Sequence, residues 1–198
     1  TGRCWSRMSA AALIEAAADG TLPGWAEAGP SPRAHMARVA ALMDAWAAGL
    51  GLDTRERMRW RAAAWLHDAL RDADPERLRA SLGGDYAAWP PGLLHGPAAA
   101  ARLAEEGVSD QSLLTAVAWH TLGHPDLDLL GRCLYVADYI EPGRTYEPAL
   151  RAVLRARMPG AVGDVVREVA RRRITWLLEA GRPIAQETTA FWNAVAGV

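Results

Sequence analysis

A histidine and an aspartate stand side by side in an otherwise apolar segment. Residues 61–72 read RAAAWLHDALRD, so His67 and Asp68 lie among alanine, tryptophan and leucine. Burying a neutral polar group without a partner costs about 2–7 kcal/mol, and burying a charge costs more. The pair therefore needs compensation from neighbouring groups.

Further histidines and one more aspartate share this apolar setting. His35 lies near a predicted helix start, His120 follows the apolar stripe that contains Leu113, and Asp138 stands in LYVADYI. A single such histidine is more often a hydrogen-bonded core residue than a metal ligand. Several of them with two embedded carboxylates favour a shared cation, because buried charges are normally paired or bound to metal.

The ligand types predict a site for two metal ions. Asp68 can direct its two oxygens to two ions, His35 and Asp138 would complete one site, and His95 with His120 would supply the other. Imidazole and carboxylate without thiolate suit Fe, Mn, Co or Zn rather than Mg or Ca. The predicted metal ligands are His35, His67, Asp68, His95, His120 and Asp138.

Helical periodicity must position these residues. Ser31 is the expected N-cap of a helix that continues to Gly51. Asp53 and Glu56 form a capping-box pattern for the next helix, which is predicted to carry His67 and Asp68. Asp74–Pro75 starts a short helix, and further helices are predicted over residues 93–107, 109–120, 126–143, 147–158, 161–181 and 183–195. Period-2 alternation is too short for a confident strand, so the predicted class is all-α.

Composition narrows the functional classes. The formal net charge of −1 provides no global basic field, so neither nucleic acid nor an anionic membrane is expected as a partner. Cys4 and Cys133 lie far apart, which argues against a disulfide scaffold and a thiolate zinc site and favours the cytoplasm. No apolar run reaches the roughly 18–20 residues that span a bilayer.

The order of the candidate ligands resembles the H…HD…H…H…D pattern of the HD superfamily of metal-dependent phosphohydrolases. More narrowly, LLHGPAAA, AVAWHTLGHPDLDLLGRCLYVADYIEPGRTYEPALR and ETTAFWN resemble the YqeK family of symmetrical diadenosine tetraphosphate hydrolases. The resemblance covers residues 31–193. Its most specific part is ADYIEPGR, whose Asp138 lies 18 residues beyond His120.

This resemblance implies an HD-domain helical bundle with a dinuclear metal site in its core, usually of iron, held by the six residues named above. It also implies hydrolysis of a dinucleoside tetraphosphate into two nucleoside diphosphates. This chain departs from the family pattern at Leu122, where a second threonine is common, and at Arg71, where a lysine is common. One HD domain is therefore expected over residues 31–198, preceded by a helical extension over 1–30 in which 1–7 are a candidate tag remnant.

A polyphosphate substrate assigns roles to these residues. Two ions about 3.5–4 Å apart can hold a bridging hydroxide by lowering the pKa of water from about 15.7 toward 7. In this mechanism Asp68 bridges the ions, and Asp138 orients the hydroxide or takes its proton. Arg144, the third predicted catalytic residue, absorbs the charge of the leaving diphosphate.

Four residues are candidate phosphate contacts: Arg71, Thr121, His124 and Arg144. Arg71 and Arg144 offer guanidinium forks, although ion pairs of Arg71 with Asp74 and of Arg144 with Glu141 are the alternatives. Thr121 either donates its hydroxyl to phosphate or caps a helix end.

Three further features lie outside the predicted set of metal ligands. His124 is placed at the rim of the pocket, since Gly123 would turn it away, with metal ligation as the alternative. Trp89 is a candidate platform for base stacking. The run of arginines at 171–173 is interpreted as a solvated helix face.

Three other functions fit the same ligands. The first is an HD phosphohydrolase acting on a cyclic nucleotide, a dNTP or a nucleoside monophosphate. The second is a dinuclear-iron oxygenase, and the third is a non-catalytic helical module with a structural ion. The expected partner is a small-molecule nucleotide, and homodimer formation stays open.

Overall fold

The computed structural model describes residues 9–197, and all regular structure in this range is helical. The predicted all-α class is confirmed. In chain order the helices are α1 (Ala10–Ala18), α2 (Pro30–Gly49), α3 (Thr54–Leu66), α4 (Pro75–Leu82), α5 (His95–Glu105), α6 (Gln111–Trp119), α7 (Leu129–Ile140), α8 (Pro148–Arg157), α9 (Val162–Glu179) and α10 (Gln186–Val195). Two short 3₁₀ turns, Gly84–Tyr86 and Pro91–Leu93, lie between α4 and α5.

Aspartate side chains begin several of these helices. Asp53 accepts a hydrogen bond of 2.9 Å from the Glu56 amide at the start of α3, as the capping pattern predicts. Asp110 accepts from Leu113 at the start of α6 in the same way. These caps satisfy amides that would otherwise lack partners in the first helical turn.

Helix α2 starts earlier than expected. Its N-cap is Gly29 and its first residue is Pro30, whereas Ser31 was the predicted cap. Pro30 and Pro32 have no amide hydrogen to satisfy, so the first turn needs little side-chain capping.

His67 and Asp68 lie in a turn, although the sequence predicted a helix at this position. Helix α3 ends just before them, at Leu66. The residues that follow form turns in which the amide of residue i+3 donates to the carbonyl of residue i. Backbone groups that would form hydrogen bonds within a longer α3 instead bond to the segment preceding α2. The Glu27 amide donates to the Ala69 carbonyl over 2.7 Å, and the Asp72 amide donates to the Glu27 carbonyl over 3.0 Å.

The segment before α2 is packed on the rest of the fold. Helix α1 lies against α3 and buries Leu13, Ala17 and Ala18. Residues 1–8, including the candidate tag remnant and Cys4, lie outside the described residues. The domain boundary at residue 31 stays a prediction.

Helix α7 occupies the centre of the molecule. It contacts α2, α3, α6, α8 and α9, and its residues Leu134, Val136 and Ala137 are fully buried. Burial raises the pKa of the Cys133 thiol in the same helix to about 12, so this cysteine is an unreactive core residue. Within residues 9–197, no helix combines the length and apolarity needed to cross a bilayer.

Candidate metal centre

Six polar side chains meet in the core beside α7, all between 0% and 8% exposed. Helix ends and turns supply most of them, which lets side chains from separate elements point to one place. The six are His35 in α2, His67 and Asp68 in the turn after α3, His95 at the start of α5, His120 at the end of α6 and Asp138 in α7. These are the residues that the sequence predicted to lie together.

One group forms around His35. Its Nε2 lies 3.1 Å from Oδ1 of Asp138 and 3.3 Å from Nε2 of His67. Oδ2 of Asp68 is 3.8 Å from the same His35 nitrogen and 3.7 Å from Nε2 of His67. The donor atoms of His35, His67 and Asp138 are close enough together to share one ion.

A second group forms around the other oxygen of Asp68. Its Oδ1 lies 3.0 Å from Nε2 of His95 and 3.6 Å from Nε2 of His120, and these two nitrogens are 3.1 Å apart. Asp68 therefore turns one oxygen to each group, as expected for a carboxylate that joins two cation sites.

Hydrogen bonds on the outer ring nitrogens select the tautomer of three histidines. Nδ1 of His67 lies 2.7 Å from the Ala64 carbonyl, and Nδ1 of His120 lies 2.8 Å from the Val117 carbonyl. A carbonyl oxygen can only accept, so each Nδ1 carries a hydrogen, and in the neutral ring Nε2 carries the free lone pair. Nδ1 of His35 faces the Glu141 carboxylate, described below, which favours the same tautomer in the neutral ring.

The donor set fits metal ions. The Nε2 atoms of His35 and His67 lie 3.3 Å apart, and in neutral rings with hydrogen on Nδ1 both present lone pairs, which repel unless a cation or a proton binds them. Burial lowers the pKa of His67 to about 4, which keeps it in the neutral ligand form. Burial alone would raise the pKa of Asp68, but the surrounding histidines hold it well below its usual range. Neutral imidazoles and ionised carboxylates are the forms that bind metals.

Glu141 orients His35 from outside the cluster. Its Oε1 lies 3.2 Å from Nδ1 of His35, and the carboxylate also accepts from Arg38 and from the Gly143 amide. Burial alone would raise the pKa of Glu141, but these hydrogen bonds lower it, so the group is an ionised acceptor. From the sequence, Glu141 was expected only as an ion-pair partner of Arg144, although an acid one turn beyond Asp138 was a usable signal.

Two arginines hold Asp138. Arg144 donates from Nη2 to Oδ1 over 2.6 Å and from Nε to the Asp138 carbonyl over 3.1 Å. Arg173 donates from Nη2 to Oδ2 over 2.9 Å and from Nη1 to the Thr121 carbonyl over 2.7 Å. The expected alternative pair of Arg144 with Glu141 is present as a longer contact of 3.7 Å.

The interpretation of residues 171–173 as a solvated helix face is wrong for Arg173. Its side chain is only 18% exposed and its guanidinium lies 4.6 Å from the ring centre of Tyr135. Burial alone would lower the pKa of Arg173, but Tyr135 and Asp138 raise it, so the cation is retained. Helix α9 packs on α7, and this packing turns Arg173 toward the cluster.

Arg71 and Thr121 lie beside the cluster. Nη1 of Arg71 is 3.3 Å from Nδ1 of His95, and Oγ1 of Thr121 is 3.0 Å from Nε2 of His120. Asp74, the alternative partner of Arg71, instead accepts from the Glu76 amide at the start of α4. Both Arg71 and Thr121 are thus placed where a ligand over the cluster can reach them.

His124 is directed away from the cluster. Gly123 has a φ of 77°, in the left-handed region, and the His124 ring stacks on Trp119 with centroids 4.9 Å apart. Nδ1 of His124 accepts from the Asp126 amide over 3.2 Å. Trp89 lies 5.8 Å from Trp119 between ring centroids, on the same outer side.

A cavity of about 690 Å³ opens over the cluster. Six arginines contribute to its wall, which makes it suitable for a polyanion. These arginines are Arg71, Arg144, Arg151, Arg171, Arg172 and Arg173. Thr121 also lines this cavity, whereas His124 is absent from its lining among the described residues.

The helical fold and the buried histidine–aspartate cluster define an HD domain, and the HD domain family model matches residues 33–143. A symmetrical bis(5'-nucleosyl)-tetraphosphatase of Halalkalibacterium halodurans is 31% identical over 137 residues, which cover 66% of this chain and 72% of the relative. A protein of the same name from Staphylococcus aureus is 28% identical over 132 residues, covering 64% of this chain and 68% of the relative. The chain therefore belongs to the HD-domain family of symmetrical bis(5'-nucleosyl)-tetraphosphatases.

A solved structure has the same fold. The crystal structure described as a predicted HD superfamily hydrolase involved in NAD metabolism from Clostridium acetobutylicum superposes with a TM-score of 0.75. The two sequences are 23% identical, and the superposition covers 91% of this chain and 95% of the other. The predicted HD-domain architecture is confirmed.

Proposed function

We propose that this chain is a metal-dependent hydrolase that cleaves diadenosine tetraphosphate, or a related dinucleoside polyphosphate, into two nucleoside diphosphates. One observation carries the proposal: four imidazoles and two carboxylates converge in a buried cluster at the base of an arginine-lined cavity. The names of the relatives support this substrate over a cyclic nucleotide, a dNTP or an oxygenase substrate.

Two metal ions are part of the proposal. They would be held by His35, His67, Asp68, His95, His120 and Asp138, with iron as the first candidate and Mn, Co or Zn as alternatives. When bound, such ions supply Lewis-acid polarisation of phosphate and activation of water near neutral pH. The outer hydrogen bonds of His67 and His120 support this role because they orient the two rings and leave Nε2 free in the neutral form.

Asp68 and Asp138 have different duties in this proposal. Asp68 spans both groups of ligands and keeps them at a fixed separation. Asp138 is held by Arg144 and Arg173, so its carboxylate orients the attacking water or accepts its proton. Because both arginines donate to it, Asp138 is held in one orientation before substrate arrives.

Phosphate binding is assigned to the cavity wall. A guanidinium has five N–H donors, so Arg144 retains donors beyond those that hold Asp138, and Arg71 lies on the wall nearby. Thr121 can donate its hydroxyl to a phosphate oxygen. A phosphate contact by His124 stays a prediction.

The proposed reaction consumes one water. Its oxygen forms a bond to one of the two central phosphorus atoms as the bond between that phosphorus and the central bridging oxygen breaks. The bridging oxygen leaves on the other nucleoside diphosphate. Each product has a new terminal phosphate that ionises near neutral pH, so about two protons are released to solvent for each water consumed. Arg71 and Arg144 would stabilise the charge that develops on the departing diphosphate.

The cellular setting proposed for this reaction is the cytoplasm, with a small-molecule nucleotide as the partner. Nucleic acid is not an expected partner, and a homodimer is an open possibility for the assembly.

The identity of the products tests the proposal. Protein loaded anaerobically with iron is incubated with diadenosine tetraphosphate, and the products are separated by ion-exchange chromatography. Two molecules of ADP per substrate support symmetrical hydrolysis. ATP with AMP, or no turnover with Fe, Mn, Co or Zn, contradicts it.

A further inference from the structure

Arg151 lies on the cavity wall as a buried cation, and no carboxylate among residues 9–197 pairs with it. It lies in the first turn of α8, is only 6% exposed, and lines the cavity. Nε donates to the Tyr146 carbonyl over 2.6 Å, and the guanidinium lies 4.1 Å from the ring centre of Tyr139. Its Nη1 has no hydrogen-bond partner among residues 9–197.

The surroundings of Arg151 add to the cost of its burial. Glu147 precedes it by one turn but is bound by Arg172, at 3.3 and 3.4 Å. Burial lowers the pKa of Arg151, and the nearby cations Arg144 and Arg173 lower it further. A buried charge with an unused donor is costly unless a partner of opposite charge arrives. Because Arg151 lines the cavity, an anionic ligand in the cavity can supply this partner.

One face of α9 extends this part of the wall. Arg172, Trp176 and Glu179 recur at helical spacing and all line the cavity. Seven residues of helix rise about 10 Å, so the wall continues two turns beyond the cluster. Trp176 is 50% exposed, and Arg182 lies 5.0 Å from the centre of its ring.

These features match half of a dinucleotide. A guanidinium donor fits a phosphate, and an indole at the cavity rim fits a nucleobase, since bases stack on aromatic rings without needing a particular sequence. Diadenosine tetraphosphate has two such halves. Arg71 and Thr121 lie beside the cluster and can contact only the half that binds on that side of the cavity.

We propose that the α8–α9 wall binds the second nucleoside diphosphate half of the substrate, with Arg151 donating from Nη1 to a phosphate and Trp176 stacking on the base. The inference rests on the proposed function for its choice of ligand. Arg151 and Trp176 then determine whether the second nucleoside is recognised.

Binding of non-hydrolysable analogues tests the inference without requiring turnover. The probes are diadenosine tetraphosphate with a methylene group at the central bridge and the matching analogue of adenosine 5'-tetraphosphate, which lacks the second nucleoside. Calorimetry on the metal-loaded protein should give affinities for both probes about tenfold or more lower in Arg151→Gln. Trp176→Ala should weaken the dinucleotide about tenfold and the mononucleotide much less.

A matched control lies on the same helix. Arg155 also donates to a backbone carbonyl, that of Ile140, but is outside the cavity lining. Arg155→Gln should bind both probes as the wild type does. Equal affinities in Arg151→Gln and Arg155→Gln, or equal weakening of both probes in Trp176→Ala, would overturn the inference.

Two further measurements separate the possible failures. Arg151→Lys keeps the charge, so it should retain part of the affinity even if Arg151→Gln folds poorly. Melting temperature and metal content identify a purely structural role, in which the folded variant binds normally. If native substrate is not hydrolysed while the analogues still bind through Arg151 and Trp176, the proposed function fails and the binding site stands.

Discussion

Arg173 and His35 lie against different oxygens of the Asp138 carboxylate. Nη2 of Arg173 lies 2.9 Å from Oδ2, and Nε2 of His35 lies 3.1 Å from Oδ1. Arg173 also binds the Thr121 carbonyl, so one guanidinium connects the carboxylate of α7 to the turn after α6. Arg173 thus couples a candidate metal ligand to a candidate phosphate-binding segment.

Replacing this arginine tests the coupling. Arg173→Met should lower kcat about 10–100-fold, because Asp138 loses an orienting partner, and should destabilise the protein by about 1.5–3 kcal/mol. Arg167→Gln is the control, since Arg167 lies on the same helix but pairs with Asp164 on the surface. Steady-state kinetics and urea unfolding measure the two effects. Unchanged kcat in a folded Arg173→Met protein contradicts the role.

Asp68 is expected to be essential for metal retention. Asp68→Asn keeps the shape of the side chain but removes the charge that faces both groups of histidines. Metal content measured by elemental analysis should fall, and turnover should fall by more than about 100-fold. The exposed Asp126 provides Asp126→Asn as the control. Full metal occupancy with normal rates in the Asp68 variant would reject the dinuclear site.

Removal of metal should destabilise the fold. Without cations the cluster retains buried carboxylates and facing imidazole lone pairs, and a loss of several kcal/mol is expected. For a chain of this size each kcal/mol shifts the melting temperature by about 2–4 °C, so chelation should lower it on the order of 10 °C. Reloading should restore it. An unchanged melting temperature after verified metal removal argues against buried cations.

Stability of the metal-free protein should depend on pH through His67. Its folded-state pKa is about 4, against about 6.5 in an unfolded chain, because burial disfavours the charged ring. The stabilisation is complete above pH 6.5 and is lost as pH falls toward 4, since only the unfolded chain takes up the proton there. The loss is about 3 kcal/mol.

Urea unfolding between pH 7 and 4 measures this dependence. The slope between pH 6.5 and 4 should shrink in His67→Gln and persist in His124→Gln, because His124 lies outside the cluster. Equal slopes in both variants would assign the dependence to other groups.

Asp72 braces the turn that carries His67 and Asp68. Its carboxylate accepts from the Gly29 amide over 2.7 Å, beside the two backbone hydrogen bonds of Glu27. Asp72→Ala should cost about 1 kcal/mol and weaken metal binding, because the turn is less firmly held. Asp85→Ala is the control, since Asp85 lies exposed in the 3₁₀ turn Gly84–Tyr86. Metal titration that detects no difference between the two variants contradicts the brace.

Local sequence signals were sufficient to predict that the helices exist, although not where α2 begins or α3 ends, and to predict that the candidate ligands lie together. The Asp53 and Asp74 caps form as predicted because capping depends on neighbours only a few residues away. The ligand set was visible because histidines and aspartates in apolar segments require partners whatever the fold.

Structural features that depend on contacts between residues far apart in sequence could not be predicted from local sequence signals. The turn at His67 depends on backbone pairing with Glu27, 40 residues earlier, and AWLHDAL alone favours a helix. Arg173 is indistinguishable from Arg171 and Arg172 in sequence, and only the packing of α9 on α7 decides which of the three is buried. Arg151 was missed for the same reason.

The rings of His67 and His120 are each fastened to a carbonyl three residues upstream, at Ala64 and Val117. Each imidazole is therefore oriented by a hydrogen bond within its own four-residue segment. Folding then brings together two histidine rings that are already oriented by local hydrogen bonds, so metal binding requires little rearrangement of these rings. Changes elsewhere in the fold can then reshape the cavity while the aim of these two ligands is preserved.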